Sequence, residues 1–197
     1  MIKILVLNSL GFFVLGFFIP QFCFQVLGSS GTQIGLLWSL QTLGFLFSSA
    51  VVGVVADRSS KKFLLVAGSV GRGLAYLLLY AAVLAKNYLL VAIGMFSLVV
   101  LVGSFWIPFN ALLSQKSRKE HRSRAFGLKS RATGLGSLVG GVAGMGLFVV
   151  GSTWFPTNLA VVYSAFPVFG IGNLVAGLLY AKRLDGSWRS TAPILPR

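Results

Sequence analysis

The sequence predicts an all-α membrane protein, a bundle of six transmembrane helices, and three observations predict it. Hydrophobic residues make up 56% of the 197-residue chain. Charged residues make up only 10%, against about 25% in a typical soluble domain. The charges also fall in short clusters between long uncharged runs, and a bilayer core needs about 20 apolar residues per crossing helix. Three acids in the whole chain, Asp57, Glu120 and Asp185, cannot give a globule of this hydrophobicity a soluble surface of mixed charge.

The first uncharged run extends from Ile4 to Ala56, and the polar, turn-rich segment 28–33 divides it into helices over about 4–27 and 34–56. Lys3 ahead of an apolar run is also how a secretory signal begins. This run reaches Leu27, beyond the roughly 7–15 apolar residues of a signal, and is assigned to the first membrane helix. After the cluster 57–62 a third helix is expected over 63–85, then a tight turn at Lys86 and Asn87, then a fourth helix over 88–113. Residues 114–131 form the most polar stretch and are expected to be a loop. Helices five and six follow over 132–150 and 157–181, parted by the segment from Gly151 to Pro156, where Trp154 suits a membrane interface. Residues 1–181 thus form one bundle, and 182–197 are a cytoplasmic tail or the start of a central loop.

A net charge of +14 raises the question of nucleic acid, which the placement of the basic residues answers. Fifteen of the seventeen fall on one face of the expected bundle; only Lys86 falls on the other, and Arg72 lies inside helix three. Basic loops favour the cytoplasm, so both termini are expected there, in a protein of the cell membrane whose basic loops meet anionic lipid. No zinc spacing, phosphate loop or RNA-binding aromatic signature accompanies the charge, so no nucleic-acid partner is expected. Cys23 is the sole cysteine, which excludes an internal disulfide and a thiolate metal cage. An enzyme lacks its parts: there is no nucleophile with a membrane histidine, no acid pair, and no metal or cofactor site. His121 reads as a solvated loop residue.

Of the 24 glycines, helix five carries Gly134, Gly136, Gly140, Gly141, Gly144 and Gly146, a pattern that lets helix backbones approach closely in a membrane. Gly53, four residues before Asp57 and on the same helix face, is expected to admit a neighbour in the same way. Asp57 ends helix two, where the helix dipole disfavours a carboxylate, so a neighbouring helix or basic group should satisfy it. Arg72 is the one ionisable group deep in an expected span. It should face a cavity or a partner, or else extend its side chain toward the cytoplasmic surface. Other polar residues within apolar runs are Asn8, Gln21, Gln25, Gln41, Asn110 and Asn173.

The segment from Gly53 through Asp57 and Arg58 to Lys61 and Lys62 resembles the G-x-x-x-D-R-x-G-R-K signature of the major facilitator superfamily, in both letters and position, with Ser60 where that family usually has glycine. Residues 105–113 and 122–127 look like that family's fourth-loop region. The glycine-rich helix is similar to theirs, without the proline of the antiporter motif near Gly140, so antiport is not indicated.

The resemblance covers nearly the whole chain, as the N-terminal six-helix half of the fold. It implies secondary active transport of a small solute by alternating access, and the 17 Phe and 4 Trp are compatible with an apolar one. Gly53, Asp57, Arg58, Lys61 and Lys62 would form a cytoplasmic gate. Gln21, Trp106 and Asn110, on the helices that line the family's cavity, join Arg72 as solute or cavity candidates. Drug-exporting members often pair an arginine at this place with an acid four residues earlier, where this chain has Gly68. Because family members bind solute between two bundles, a second half or a homodimer is the expected partner. A six-helix solute-binding subunit of a multisubunit importer fits the length and charge equally, but has no reason to carry the gate signature. An inactive transporter remnant is the other alternative.

The expected topology is checked with single cysteines at Ser30, Ser117 and Ser152 in a Cys23→Ser background, probed on intact cells with an impermeant thiol reagent. Ser30→Cys and Ser152→Cys should label from outside and Ser117→Cys should not; the reverse pattern would overturn the orientation.

Overall fold

The computed structural model of the chain describes residues 2–11 and 14–183, of which the side chains of the first two and of Val14 and Asp57 are not included; Asp185 and most of the expected tail lie beyond them. Among the described residues the secondary structure is helical, without strand. The helices are α1 (Ile2–Asn8), α2 (Val14–Gln25), α3 (Gly31–Arg58), α4 (Lys61–Leu84), α5 (Tyr88–Lys116), α6 (Arg122–Trp154), α7 (Leu159–Val162) and α8 (Ala165–Arg183), with one short 3-10 turn at Lys119–His121. Five of these, α3, α4, α5, α6 and α8, are long and apolar enough to cross a membrane.

The first expected helix differs. In place of one helix over 4–27 the chain forms α1 and α2, with Ser9, Leu10 and Gly11 in a turn after α1. The pieces have 7 and 12 residues, so neither alone reaches the length of a span. Hydropathy does not register this break, because the residues on both sides of it are apolar. Two other boundaries move as well. Helix α6 begins at Arg122 rather than about 132, taking up much of the expected polar loop. No proline interrupts that stretch, and its arginines are helix formers that stay exposed. Toward the end of the chain, the short α7 and then α8 replace one helix over 157–181.

Local chemistry accounts for the remaining ends. Ser30 and Gln33 form a reciprocal capping box at the start of α3. Gly28, at φ +63°, makes the turn that precedes it. Asn87 caps α5 by accepting from Leu90 N–H, and Asn158 caps α7 by accepting from Ala160 N–H.

Helix α4 is the hub, packed against α5 and α8; α3 covers α5, and α1 lies against α6 and α8. Small residues set these approaches. A Cβ on Gly68 would stand 2.7 Å from Phe105 N, and one on Gly73 would stand 2.8 Å from Gly170 O. On α6 the glycines divide. Gly136 and Gly140 face the end of α1, where a Cβ would collide with Val6 O and with the backbone of Leu10, whereas Gly134 and Gly146 have nothing within 4 Å. The close approach expected of helix five is therefore made at Gly136 and Gly140, at the place where the first span is broken.

The interior consists of two apolar clusters. One contains Phe18, Phe22, Tyr76, Leu79, Tyr163, Phe166 and Phe169. The other contains Ile4, Leu5, Leu65, Phe105, Phe109, Ala176 and Tyr180. Gly140→Val should lower stability by about 1–3 kcal/mol, the usual cost of overpacking, while Gly146→Val should change it little. Thermal unfolding of the two purified variants in one detergent checks this; equal effects would refute the packing role.

Candidate functional site

Between the two clusters lies a polar layer. Along α4, Ser69 and Arg72 stand between Leu65 of one cluster and Ala75 of the other; along α8, Asn173 stands between Phe169 and Ala176. Asn8 follows Ile4 and Leu5 on α1. All four polar side chains are fully buried.

Arg72 sits at the middle of α4, about 16 Å along the helix from Lys61 at 1.5 Å per residue. Its guanidinium donates through Nη1 to Asn8 Oδ1 at 2.6 Å and through Nη2 to Asn8 O at 3.0 Å. Asn8 Nδ2 donates to Ser69 Oγ at 2.6 Å, and Ser69 Oγ donates to Asn173 O at 3.1 Å. One turn along α4, Tyr76 Oη donates to Gly11 O at 2.8 Å.

This arrangement explains the broken first span. A helix interrupted at membrane depth frees backbone carbonyls that lipid cannot satisfy, so protein must satisfy them. Asn8 O and Gly11 O are two such groups, and Arg72 and Tyr76, four residues apart on one face of α4, reach them both. The arginine also places a cation at the C-terminus of α1, the negative end of its peptide dipoles. It does not extend to the surface.

Five buried side-chain atoms have no partner among the described residues: Ser9 Oγ, Asn173 Oδ1 and Tyr180 Oη, and two that belong to Arg72 (Nε) and Gln41 (Oε1). Arg72 and Gln41 line one cavity of about 510 Å³, together with Leu15, Gly16, Trp38, Thr42, Phe45, Tyr76, Val99 and Val102. Its walls come from α2, α3, α4 and α5, and Leu15 and Gly16 bring the start of α2, just past the break, onto it.

The other sequence candidates lie elsewhere. Trp106 and Asn110, one turn apart on α5, come together around a residue that the sequence placed in a loop, Lys129. Its Nζ donates to Asn110 Oδ1 at 2.8 Å and lies 4.7 Å from the Trp106 ring centre. Trp106 and Lys129, with Ser130 and Thr133, line a shallow cup of about 260 Å³. Gln21 is half-buried on α2 and lines neither space.

Of the gate segment, Gly53 is half-buried with open space where a Cβ would be, and no described residue comes within 4 Å of that point. Arg58 is exposed, Lys62 is half-buried, and Lys61 Nζ donates to Gln115 Oε1 at 3.0 Å, tying the start of α4 to the end of α5. Asp57 lies in the last turn of α3, and its side chain is outside the described residues.

A helical chain with a membrane-buried arginine and a broken first span matches the family model described as Major Facilitator Superfamily over residues 4–193. The chain belongs to the major facilitator superfamily. It is thus an integral membrane protein of a transport family, and the resemblance carried by the gate segment is a true family relation. No match was found among curated proteins or among solved structures.

Sequence reasoning left Asn8, Ser69, Tyr76 and Asn173 of the polar layer out of the site, and Gln41 and Lys129 with them. Gln41 stood out as a polar residue in an apolar run, but nothing marked it from five others of that kind. Lys129 was hidden by the loop assignment.

Asn8→Ala removes both the Oδ1 acceptor of a buried cation and the donor to Ser69. It is expected to cost about 1.5–3 kcal/mol, the range for a hydrogen bond to a charged group. Ser49→Ala removes only a hydroxyl bonded to Leu46 O of its own helix and should cost less than about 0.5 kcal/mol. Unfolding of both variants in detergent gives the comparison, and a small loss for Asn8→Ala would show the layer to be dispensable.

Proposed function

We propose that this chain is one bundle of a secondary transporter that moves a small solute by alternating access, with the cavity beside Arg72 as its solute site. On this reading α1 and α2 together make one interrupted span, so the bundle crosses the membrane six times with both termini in the cytoplasm of the cell membrane. The single observation that carries it is the interruption itself. Family transporters bind solute at membrane depth, and broken helices are tolerated there where their freed groups are buried in protein or line a cavity. Here the break, the buried arginine and the cavity adjoin.

The gate segment, Gly53, Asp57, Arg58, Lys61 and Lys62, is assigned to the cytoplasmic closure. The open space at Gly53 is available to a helix of a second bundle, and Asp57 at the end of α3 is placed to meet one. Helices α3 and α6 support the same pairing. Only 22% of the apolar stretch of each is buried, against 50% for α4, leaving two long faces free. The second bundle is another copy of this one or a second half of different sequence. The cup lined by Trp106 and Lys129 is assigned as a contact point for solute on its way through.

Alternating access is tested without knowing the solute. A Thr42→Cys variant in the Cys23→Ser background, reconstituted in vesicles of either orientation, should be labelled by an impermeant thiol reagent from both sides. Adding Asp57→Asn should shift the ratio of the two labelling rates several-fold. Labelling from one side only, with no response to Asp57→Asn, would sink the proposal. The pairing is read separately: a detergent-corrected mass of the purified chain should be that of a dimer or larger complex, and a strictly monomeric chain that passes the access test would remove the second bundle from the reading.

A further inference from the structure

The cavity beside Arg72 has a chemistry that narrows what it can hold. Its walls are mostly apolar, formed by Leu15, Trp38, Phe45, Val99 and Val102, and a volume of about 510 Å³ lies within the range of small-molecule sites, about 300–1,000 Å³. An occupant needs a substantial apolar body. Arg72 and Gln41 give the cavity a polar end, and each carries a buried side-chain atom without a partner among the described residues.

Charge decides the sign of that end. Arg72 stays protonated in proteins, and the groups that bond it, Asn8 Oδ1 and Asn8 O, are neutral. Among the described residues no carboxylate bonds Arg72: Glu120 is in the exposed turn before α6, and Asp57 is in the last turn of α3, far along the helix from Gln41. The α1 terminus offsets only part of a unit charge. A cationic head would be repelled there, and a neutral one would leave the charge uncompensated. An anion accepts from Arg72 Nε–H in a charge-assisted bond, the stronger kind of hydrogen bond. Gln41 completes the fit, because its amide can turn to present N–H₂ to a second oxygen of the same head.

We infer that the cavity takes an amphipathic monocarboxylate, its head between Arg72 and Gln41 and its apolar body along α3 and α5. This rests on the solute-site reading above and adds the class of solute. A fatty acid drawn from the bilayer and a compact aromatic acid from water share this chemistry.

Binding is measured on the full chain in nanodiscs of zwitterionic lipid, at equilibrium and without any transport step. Octanoate should bind roughly tenfold or more tightly than octanol or octyltrimethylammonium, the difference a charged hydrogen bond supplies. Gln41→Leu, at a half-buried position on the wall, should cut octanoate affinity several-fold and leave octanol unchanged. Arg72→Gln should abolish the preference for the anion; because that variant risks misfolding, Gln41→Leu carries the test independently.

Comparing oleate with phenylpropanoate identifies the source, with preference for either supporting the class. Octanol or the cation binding as tightly as octanoate would overturn the inference, as would a Gln41→Leu variant with unchanged octanoate affinity. The outcomes separate from those of the transport reading. Selective octanoate binding in a protein whose Thr42→Cys labels from one side only leaves a carboxylate-binding protein that is not a transporter. Two-sided labelling without carboxylate preference leaves a transporter of another solute class.

Discussion

A guanidinium held in the middle of an apolar bundle must be surrounded by acceptors, and in this protein the demand falls on the backbone. Placing an arginine at the centre of a membrane helix costs about 2.5–3.5 kcal/mol on insertion scales, and more where nothing relaxes around it. Arg72 meets that cost with no acid among its hydrogen-bond partners. It takes a carbonyl released by the end of α1 and the amide oxygen of the residue that ends it, so the side chain needing acceptors and the helix end needing donors satisfy each other. The rest of the bundle is arranged around this exchange. Ser69 and Asn173 extend it to α8, Tyr76 extends it past the turn, and Gly136 and Gly140 clear the space on α6 into which the turn projects.

The polar layer also fixes register. Apolar side chains slide past one another at modest cost, and in lipid there is little hydrophobic drive between helices to prevent it. Hydrogen bonds from α4 to α1 and α8 each accept one alignment only. The aromatic groups above and below, Phe18 with Tyr163 and Phe105 with Tyr180, then pack against helices whose heights are already set. The same layer leaves an imbalance, because two side-chain atoms without a partner among the described residues, Arg72 Nε and Gln41 Oε1, belong to residues that line the cavity. A site that is fully satisfied holds shape; a site with two groups to spare can also hold a ligand.

Much of this protein was legible before any coordinates. Composition and the spacing of charge gave a helical membrane bundle, and the residues from Gly53 to Lys62 carried the family relation. Arg72 stood out because it is the lone ion in a long apolar run. Legibility failed at three places for distinct reasons. The break at Ser9–Gly11 is silent in a hydropathy profile, since an unwound apolar segment has the same composition as a wound one. Helix α6 continued through residues read as loop, because charge marks where water is and not where a helix ends. Lys129 and Gln41 gained their importance from neighbours on other helices, and no feature of their own segments distinguished them.

The sequence by itself determined the solvent, the helical class and the family, because each depends on which residue types occur and at what local spacing. Tertiary structure decided where the first span stops being a helix, which glycines act as contacts, and that Arg72 turns inward to Asn8 rather than out to the surface. These outcomes depend on pairs far apart in the chain, Asn8 with Arg72 and Leu10 with Gly140, and a buried hydrogen bond or a close backbone approach exists only once both partners are in place.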